Sequence, residues 1–271
     1  MKLCVLGSGS KGNSVLLQAG QTRILVDAGF SARGMAARLR MIGVDPKSIE
    51  AVVITHEHTD HVKGAAVSAK KWGWKIVATG GTAAASVSLA GVAVQQIGCN
   101  GSVVVGDFDL MTVRTSHDAS EPVAVFATSR TTGARAAVVY DLGVMTESVV
   151  RGMDRVDLMV IESNHDGEML RNGPYPVMLQ RRIAGREGHL SNGAAARAVC
   201  ECAHRGLANV VLAHLSEVNN TPDVATLTMK NALRRTAFRG NISTASQDRP
   251  SRTYAISSST FEEAAQFSLG I

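Results

Sequence analysis

The sequence predicts an α/β (α+β) protein, two β-sheets packed together with helices on the outside, folded as a single domain over residues 1–271. Three observations predict it. Short Val-, Ile- and Leu-rich segments punctuated by glycine cluster early in the chain. Strand-like and helix-like segments then alternate through the second half. No internal repeat or low-complexity linker divides them, and 45% hydrophobic with 19% charged residues is the balance of a globular protein with a substantial core.

In order, "KLCVLGS", "SVLLQAG" and "TRILVDAG" read as successive strands. A helix follows over "ARGMAARLRMIG", ended by Gly43, and Pro46 introduces the strand "SIEAVVITH". "VKGAAVSAKKWG" has helical character and "KIVATG" is a strand. Residues 107–141 carry three more strands, "FDLMTVRTS", "PVAVFATSR" and "ARAAVVYDLG". A helix at 146–152, the strand "DLMVIES", helical segments near 175–186 and 192–206, the strand "NVVLAH", a helix at 222–235 and a last strand near "RTYAI" complete the pattern.

The N-terminus "MKLCVLGSGS" breaks at glycine and lacks a small-residue cleavage site, so it reads as a first strand rather than a signal peptide. No stretch approaches the roughly 18 apolar residues of a membrane span. A cytoplasmic protein with no membrane partner is expected. Cys4, Cys99, Cys200 and Cys202 show neither zinc-ribbon nor redox spacing and read as buried free thiols. The net charge of +5 permits a polyanionic partner. The basic clusters "RRIAGR" (181–186) and Arg234–Arg235 suit that role or an ordinary solvated helix face.

The most informative stretch is "VVITHEHTDHVKG" (52–64), where His, Asp and Glu fill five positions just after a buried strand. A core has no use for such basicity, and burying these groups without a metal costs several kcal/mol of desolvation. Other histidines and one aspartate also follow apolar runs: His117 after "LMTVRTS", Asp141 after "AAVVY" and His214 after "NVVLA". Strand ends aim such groups from a rigid scaffold. Two ions about 3.5–4 Å apart need roughly six imidazole or carboxylate ligands. His56, His58, Asp60, His61, His117, Asp141 and His214 supply seven.

"THEHTDH" resembles the signature of the metallo-β-lactamase fold superfamily of hydrolases, and the likeness continues through "DAG" (27–29), "SHD" (116–118), "YDLG" (140–143) and "AHLS" (213–216) in the family's order. The resemblance implies a four-layer αββα sandwich with the metals between the edges of the two sheets. By the same resemblance His56, His58 and His117 hold a first metal, Asp60, His61 and His214 a second, and Asp141 bridges them. Asp27 is implied to hold the metal loop from behind by hydrogen bonds. Antibiotic-cleaving two-zinc members carry a cysteine at the position of Asp141 and redox di-iron members a glutamate at that of His58. This chain has neither, so it resembles the phosphodiesterase and nuclease branches.

"GSGSKGNS" (7–14) offers backbone N–H groups to an anion, with Ser10 and Asn13 as candidate substrate contacts; a plain Gly/Ser turn is the alternative. "ESNHD" (162–166), "GHLSN" (188–192), "HLSEVNNTP" and "QDRPSR" resemble the YycJ/WalJ-like subfamily of DNA exonucleases with 5′→3′ polarity. The order "GHLSN", helix, strand, "AHLS" is also similar to ribonuclease Z, which implies that His189 contacts the scissile phosphate or protonates the leaving oxygen. His165 and Arg182 are further candidates for substrate contact, whereas His204 reads as structural. Trp72 and Trp74 in "KWGWK" read as packing residues rather than base-stacking platforms. The implied activity is hydrolysis of a phosphodiester by water, with two divalent ions (Zn or Mn, with Fe permitted), Asp60 and Asp141 orienting the water and Asp60 able to take its proton. The expected substrate is nucleic acid, DNA in preference to RNA. The rival expectations are a small-molecule hydrolase on the same metals (a cyclic-nucleotide phosphodiesterase, lactonase or thioesterase) and a metal-binding interaction protein without catalysis.

Overall fold

A computed structural model describes residues 1–257. The first half of the chain runs β1 (Lys2–Gly7), β2 (Ser14–Ala19), β3 (Thr22–Val26), α1 (Ala32–Met41), β4 (Ala51–Val53), α2 (Thr59–Val62), α3 (Ala65–Trp72), β5 (Lys75–Ala78), α4 (Gly80–Ala85) and β6 (Val94–Gln96). The second runs β7 (Ser102–Val105), β8 (Phe108–Arg114), β9 (Val123–Ser129), β10 (Arg135–Val139), α5 (Glu147–Met153), β11 (Leu158–Glu162), α6 (Gly167–Asn172), α7 (Val177–Ile183), α8 (Asn192–Cys202), β12 (Asn209–Ala213), α9 (Pro222–Leu233), β13 (Asn241–Thr244) and β14 (Tyr254–Ala255).

The strands form two seven-stranded sheets, ordered β14-β1-β2-β3-β4-β5-β6 and β13-β12-β11-β10-β9-β8-β7. Both begin antiparallel and continue parallel: β1–β3 and β7–β10 are hairpin-linked, whereas β3–β6 and β10–β13 run parallel. Parallel neighbours need crossover connections, and the helices supply most of them on the outer faces. β14 returns to pair antiparallel with β1, so the end of the second half closes the first sheet.

Three apolar clusters account for the layering. Leu3, Val5, Leu17, Ile24 and Val53 meet Phe108, Leu110, Val125, Val138 and Val160 between the sheets. Leu6, Leu25, Met35, Leu39, Val52 and Trp74 pack the outer face of the first sheet against α1 and α3. Ala137, Met159, Val199, Leu212 and Met229 pack the outer face of the second against α5, α8 and α9. Strands of the middle layers are therefore buried on both faces, which is why β11 (LMVIE) and β12 (NVVLA) are buried throughout and show no polar alternation. The result is the expected four-layer αββα sandwich.

Every strand and long helix expected above is present, with shorter ends: the strand in "SIEAVVITH" is only Ala51–Val53. The sequence reading omitted β6, β7 and β13, which are partly exposed and three or four residues long. It also passed over the one-turn helices α2, α4 and α6. The thiols divide: Cys4 and Cys202 are buried as expected, whereas Cys99 and Cys200 are half-buried, and all four are free. Trp74 is buried with its indole N–H donated to Pro46 O at 2.7 Å, and His204 bonds Val156 O, so both are packing residues.

Candidate metal centre

The site lies where parallel strands of the two sheets end. Of the four non-glycine residues with positive φ among the described residues, three stand at these exits: Asp27 (63°) after β3, Asp141 (56°) after β10 and His214 (54°) after β12. Side chains in this left-handed region cost energy that surrounding bonds must hold, and such residues cluster at functional sites. Each chain reversal turns a polar side chain inward at the sheet edge.

The loop after β4 is stitched to its neighbours through backbone bonds: Asn13 N donates to Asp60 O (2.8 Å), Ala28 N to His61 O (2.8 Å) and Gly29 N to Asn13 O (3.0 Å). A side chain at Gly29 would meet Asp60 O at 1.6 Å, so only glycine allows this approach. This is the physical content of "DAG". Asp27 lies fully buried behind the loop. Its carboxylate accepts from Thr55 N (2.8 Å), Thr55 Oγ1 (2.8 Å), Tyr140 OH (2.7 Å) and His61 Nδ1 (2.7 Å).

With the His61 proton given to Asp27, His61 Nε2 presents a lone pair toward Asp141 Oδ2 at 2.8 Å and Asp60 Oδ2 at 3.4 Å. Across this loop, His56 Nε2 lies 3.1 Å from His58 Nδ1, which lies 3.3 Å from His117 Nε2. His117 Nδ1 donates to Gly188 O (3.1 Å), so its Nε2 is also a lone pair. Ligand nitrogens about 2.0–2.1 Å from a tetrahedral zinc stand roughly 3.3–3.4 Å apart, so this triplet has the spacing of one ion's ligands.

On the second sheet, His214 Nδ1 donates to Glu162 Oε1 (3.0 Å), and its Nε2 points toward Asp60 Oδ2 at 3.7 Å. His214 Nε2 and Asp141 Oδ2 are buried without a hydrogen-bond partner, with Asp141 Oδ2 2.8 Å from His61 Nε2. Orphaned buried acceptors are costly unless a cation satisfies them. The same atoms form three-donor groups, His56–His58–His117, His56–His61–Asp141 and Asp60–His61–His214, in which all ligand atoms lie within 4.8 Å of one another. The donor set fits divalent cations, with Asp141 placed between the two clusters.

The electrostatics agree with that fit. Burial pushes His56 well below the ordinary imidazole value. Burial also opposes charge on His61 and His214, yet Asp141 and the neighbouring carboxylates overcome it, raising His61 well above its usual range and His214 to about 9. Asp141 is held far below the carboxylate range by His214 and His61 against the opposing effect of burial, and the same two imidazoles beside Asp60 lower it likewise. A carboxylate-rich pocket that draws protons onto its histidines draws cations equally, and a bound cation displaces those protons.

Glu162, at the end of β11, is the residue that sequence reasoning missed. It is fully buried, and Oε1 accepts from both His189 Nδ1 (2.8 Å) and His214 Nδ1 (3.0 Å). Its Oε2 accepts from Leu142 N and Leu190 N, both at 3.1 Å. Although burial favours the neutral acid, His189 beside it holds Glu162 down at about 2. In return, despite the desolvation that opposes charge, Glu162 and Asp141 raise His189 to about 11. The available signal was a lone carboxylate closing the apolar run "LMVIE".

His189 stands at the cleft because Ser191 caps α8, its Oγ accepting from Ala194 N at 3.2 Å. The cleft itself is small, about 250 Å³, lined by Ser10, His58, Asp60, His117, Asp118, Asp141, Arg182 and His189 among others. Ser10 and Arg182 therefore face it as expected, with Arg182 bonded to Asp118 Oδ2 at 2.6 Å. Asn13 and His165 do not. Asn13 is fully buried, its amide spent on Ser8, Gly9, Asp60 and His61 Nε2 (3.1 Å). His165 is buried in a bridge with Ser191. Neither of these expected substrate contacts therefore lines the cleft.

The motifs "ESNHD" and "HLSEVNNTP" also resolve into support. Asn164 Nδ2 donates to His214 O (2.9 Å), and Asn220 Nδ2 donates to Ser163 O, Asn164 O and Asn192 Oδ1. This network holds the strained turn at His214. Ser8 ties it to the other half, its Oγ accepting from His214 N (2.9 Å) and donating to Asn13 Oδ1 (2.9 Å).

A beta-lactamase superfamily domain matches residues 22–215. The chain is 34% identical over 238 residues to the exodeoxyribonuclease WalJ of Streptococcus pneumoniae serotype 2 (strain D39 / NCTC 7466), covering 86% of this chain and 88% of that protein. It is 33% identical over 238 residues to the exodeoxyribonuclease YycJ of Bacillus anthracis, covering 86% and 89%. Among solved structures, the metallo-beta-lactamase fold protein YhfI from Bacillus subtilis superposes with a TM-score of 0.66 at 17% identity, covering 93% of this chain and 98% of that one.

Proposed function

The chain belongs to the beta-lactamase superfamily, and from that premise we propose that it is a divalent-metal-dependent nuclease that hydrolyses phosphodiesters, with DNA as its substrate and exonucleolytic action. One observation carries this assignment. A charged histidine, His189, is aimed into the cleft by a buried glutamate, beside a cluster of buried donors suited to two cations. The similarity to proteins named exodeoxyribonucleases over 86% of the chain supports it.

His56, His58 and His117 are assigned to one ion, Asp60, His61 and His214 to the other, and Asp141 to both. When bound, a pair of divalent cations supplies Lewis acidity toward the attacking water and the phosphate oxygens. Zinc and manganese suit these ligands equally, and iron is admissible.

The protein's own groups do the remaining work. Asp60, held ionised far below its usual range, accepts a hydrogen bond from the attacking water and orients it. So low a pKa makes Asp60 a poor keeper of the water's proton, so orientation is its assigned part. His189 donates from Nε2 to the leaving oxygen, while Glu162 fixes Nδ1 as the other N–H. Arg182, steadied by Asp118, and Ser10 meet the phosphate at the rim. The chain has no helix among its described residues long and apolar enough to cross a membrane.

The test is cleavage of end-labelled single- and double-stranded DNA, matched RNA and bis(p-nitrophenyl) phosphate by metal-free protein reloaded with Mn²⁺ or Zn²⁺, at low and high salt. Stepwise, salt-sensitive release of nucleotides from DNA is expected, and the labelled end gives the polarity. Turnover of the small diester with all nucleic acid intact overturns the nuclease assignment in favour of a small-molecule hydrolase.

A further inference from the structure

The cleft of about 250 Å³ accommodates a scissile phosphate and little beyond it. Binding energy for a polymer must therefore come from surfaces on either side. One is the rim around Arg182 and Arg186. The other is a groove of about 920 Å³ that opens beside His214. Its size is near the upper end of the range of about 300–1,000 Å³ for ligand sites.

This groove borders the site through the immediate neighbours of His214. Ser8, whose hydroxyl accepts from His214 N, forms one wall, and Leu215 and Ser216, which follow His214, form the next. The remaining walls are the start of α9 at Thr221 and Pro222, the strand β13 with the segment after it, and Tyr254. "HLSEVNNTP" and "QDRPSR", two stretches that the metal site does not use as ligands, thus face one another across it.

The lining chemistry is that of a phosphate-bearing strand. Hydroxyl groups of Ser8, Ser216, Thr221, Ser246 and Ser251 line it, beside the apolar surface of Leu215, Pro222 and Pro250. Glu217 is neutralised by Lys11 at 2.7 Å. That leaves the guanidinium groups of Arg249 and Arg252 against the single carboxylate of Asp248. Neither arginine has an ion pair among the described residues, and Arg252 lies over the Tyr254 ring at 4.9 Å. The segment carrying the arginines is anchored, since Gln247 accepts from Lys11 N (2.8 Å) and donates to Gly12 O (3.0 Å).

We propose that this groove binds the single-stranded polynucleotide flanking the scissile phosphate, gripping its backbone through Arg249 and Arg252 without reading its sequence. The proposal rests on the nuclease assignment above and locates the second arm of its substrate path.

The test compares Arg249→Glu, Arg252→Ala and Asp248→Lys with the parent, all at exposed positions outside the metal site. Metal-loaded protein is titrated into a short fluorescent single strand with phosphorothioate linkages, read by anisotropy at several salt concentrations. Arg249→Glu is expected to weaken binding by about tenfold or more at low salt. Each lost contact should flatten the log–log salt slope by roughly 0.7. Asp248→Lys should tighten binding, a gain that a merely damaged fold does not produce. Turnover of bis(p-nitrophenyl) phosphate should stay at the parent level in all three. Unchanged strand affinity and slope in the arginine variants, with a parent that binds and cuts DNA, overturn the groove alone. A parent that cuts the small diester but neither binds nor cuts any strand overturns the nuclease assignment and the groove with it.

Discussion

The two sheets contribute to one site in different ways. The first sheet delivers His56, His58, Asp60 and His61 from a single loop after β4, backed by Asp27, Thr55 and Asn13, none of which lines the cleft. The second delivers His117, Asp141, Glu162, His189 and His214 one at a time, from the ends of separate strands and loops. The first is a preformed ligand loop. The second is an assembly in which one buried carboxylate, Glu162, orients a ligand (His214) and the cleft histidine (His189) together. On the first sheet support and chemistry are separate; on the second they share a residue.

That contrast can be broken at its junction first. Asp141 lies between both clusters, so Asp141→Ala should lower turnover by roughly 10⁴-fold or more, as for removal of a member of a catalytic unit. Elemental analysis should show metal lost from both positions, and two tightly held ions with full activity would contradict its bridging place. Next, His189→Ala should keep two ions and lose about 10²–10⁴ in turnover, the worth of a positioned proton donor.

The supporting carboxylates sharpen the comparison. Asp27→Asn and Glu162→Gln should each weaken metal binding by about 10–100-fold, the usual effect of removing a ligand's hydrogen-bond partner. Only Glu162→Gln should also move the pH profile. Glu162 raises the pKa of His189, and the protonated form is the donor, so activity is lost as pH rises through that pKa. Removing the negative charge lowers the pKa, and the alkaline limb should shift to lower pH. A shift of that limb in Asp27→Asn, or none in Glu162→Gln, would erase the distinction between the halves. The smallest effect is expected of Arg182→Ala, which should flatten the salt dependence of strand binding by about one contact while leaving metal content intact.

The same contrast explains what was legible in the sequence. "THEHTDH" places four candidate ligands in seven residues, so spacing alone revealed them. His117, Asp141 and His214 are visible as polar residues closing apolar runs, and each stands in a cluster of metal-ligating side chains. Glu162 closes such a run too, but its partners are the second nitrogens of His189 and His214, 27 and 52 positions away, a relation that no local pattern encodes. Asn13 and His165 were read as substrate contacts because polarity in a loop does not reveal which way a side chain faces; both turn inward. Among the strands, those buried on both faces declared themselves by continuous apolar runs. β7 and β13, short and partly exposed, did not.

The central claim is that both halves complete one two-ion hydrolytic site. Its most direct test is titration of metal-free protein with Mn²⁺, following bound metal and turnover of a phosphodiester in the same samples. Two ions per chain, with activity appearing only as the second binds, is the expected result. Full activity with a single ion per chain would contradict the claim.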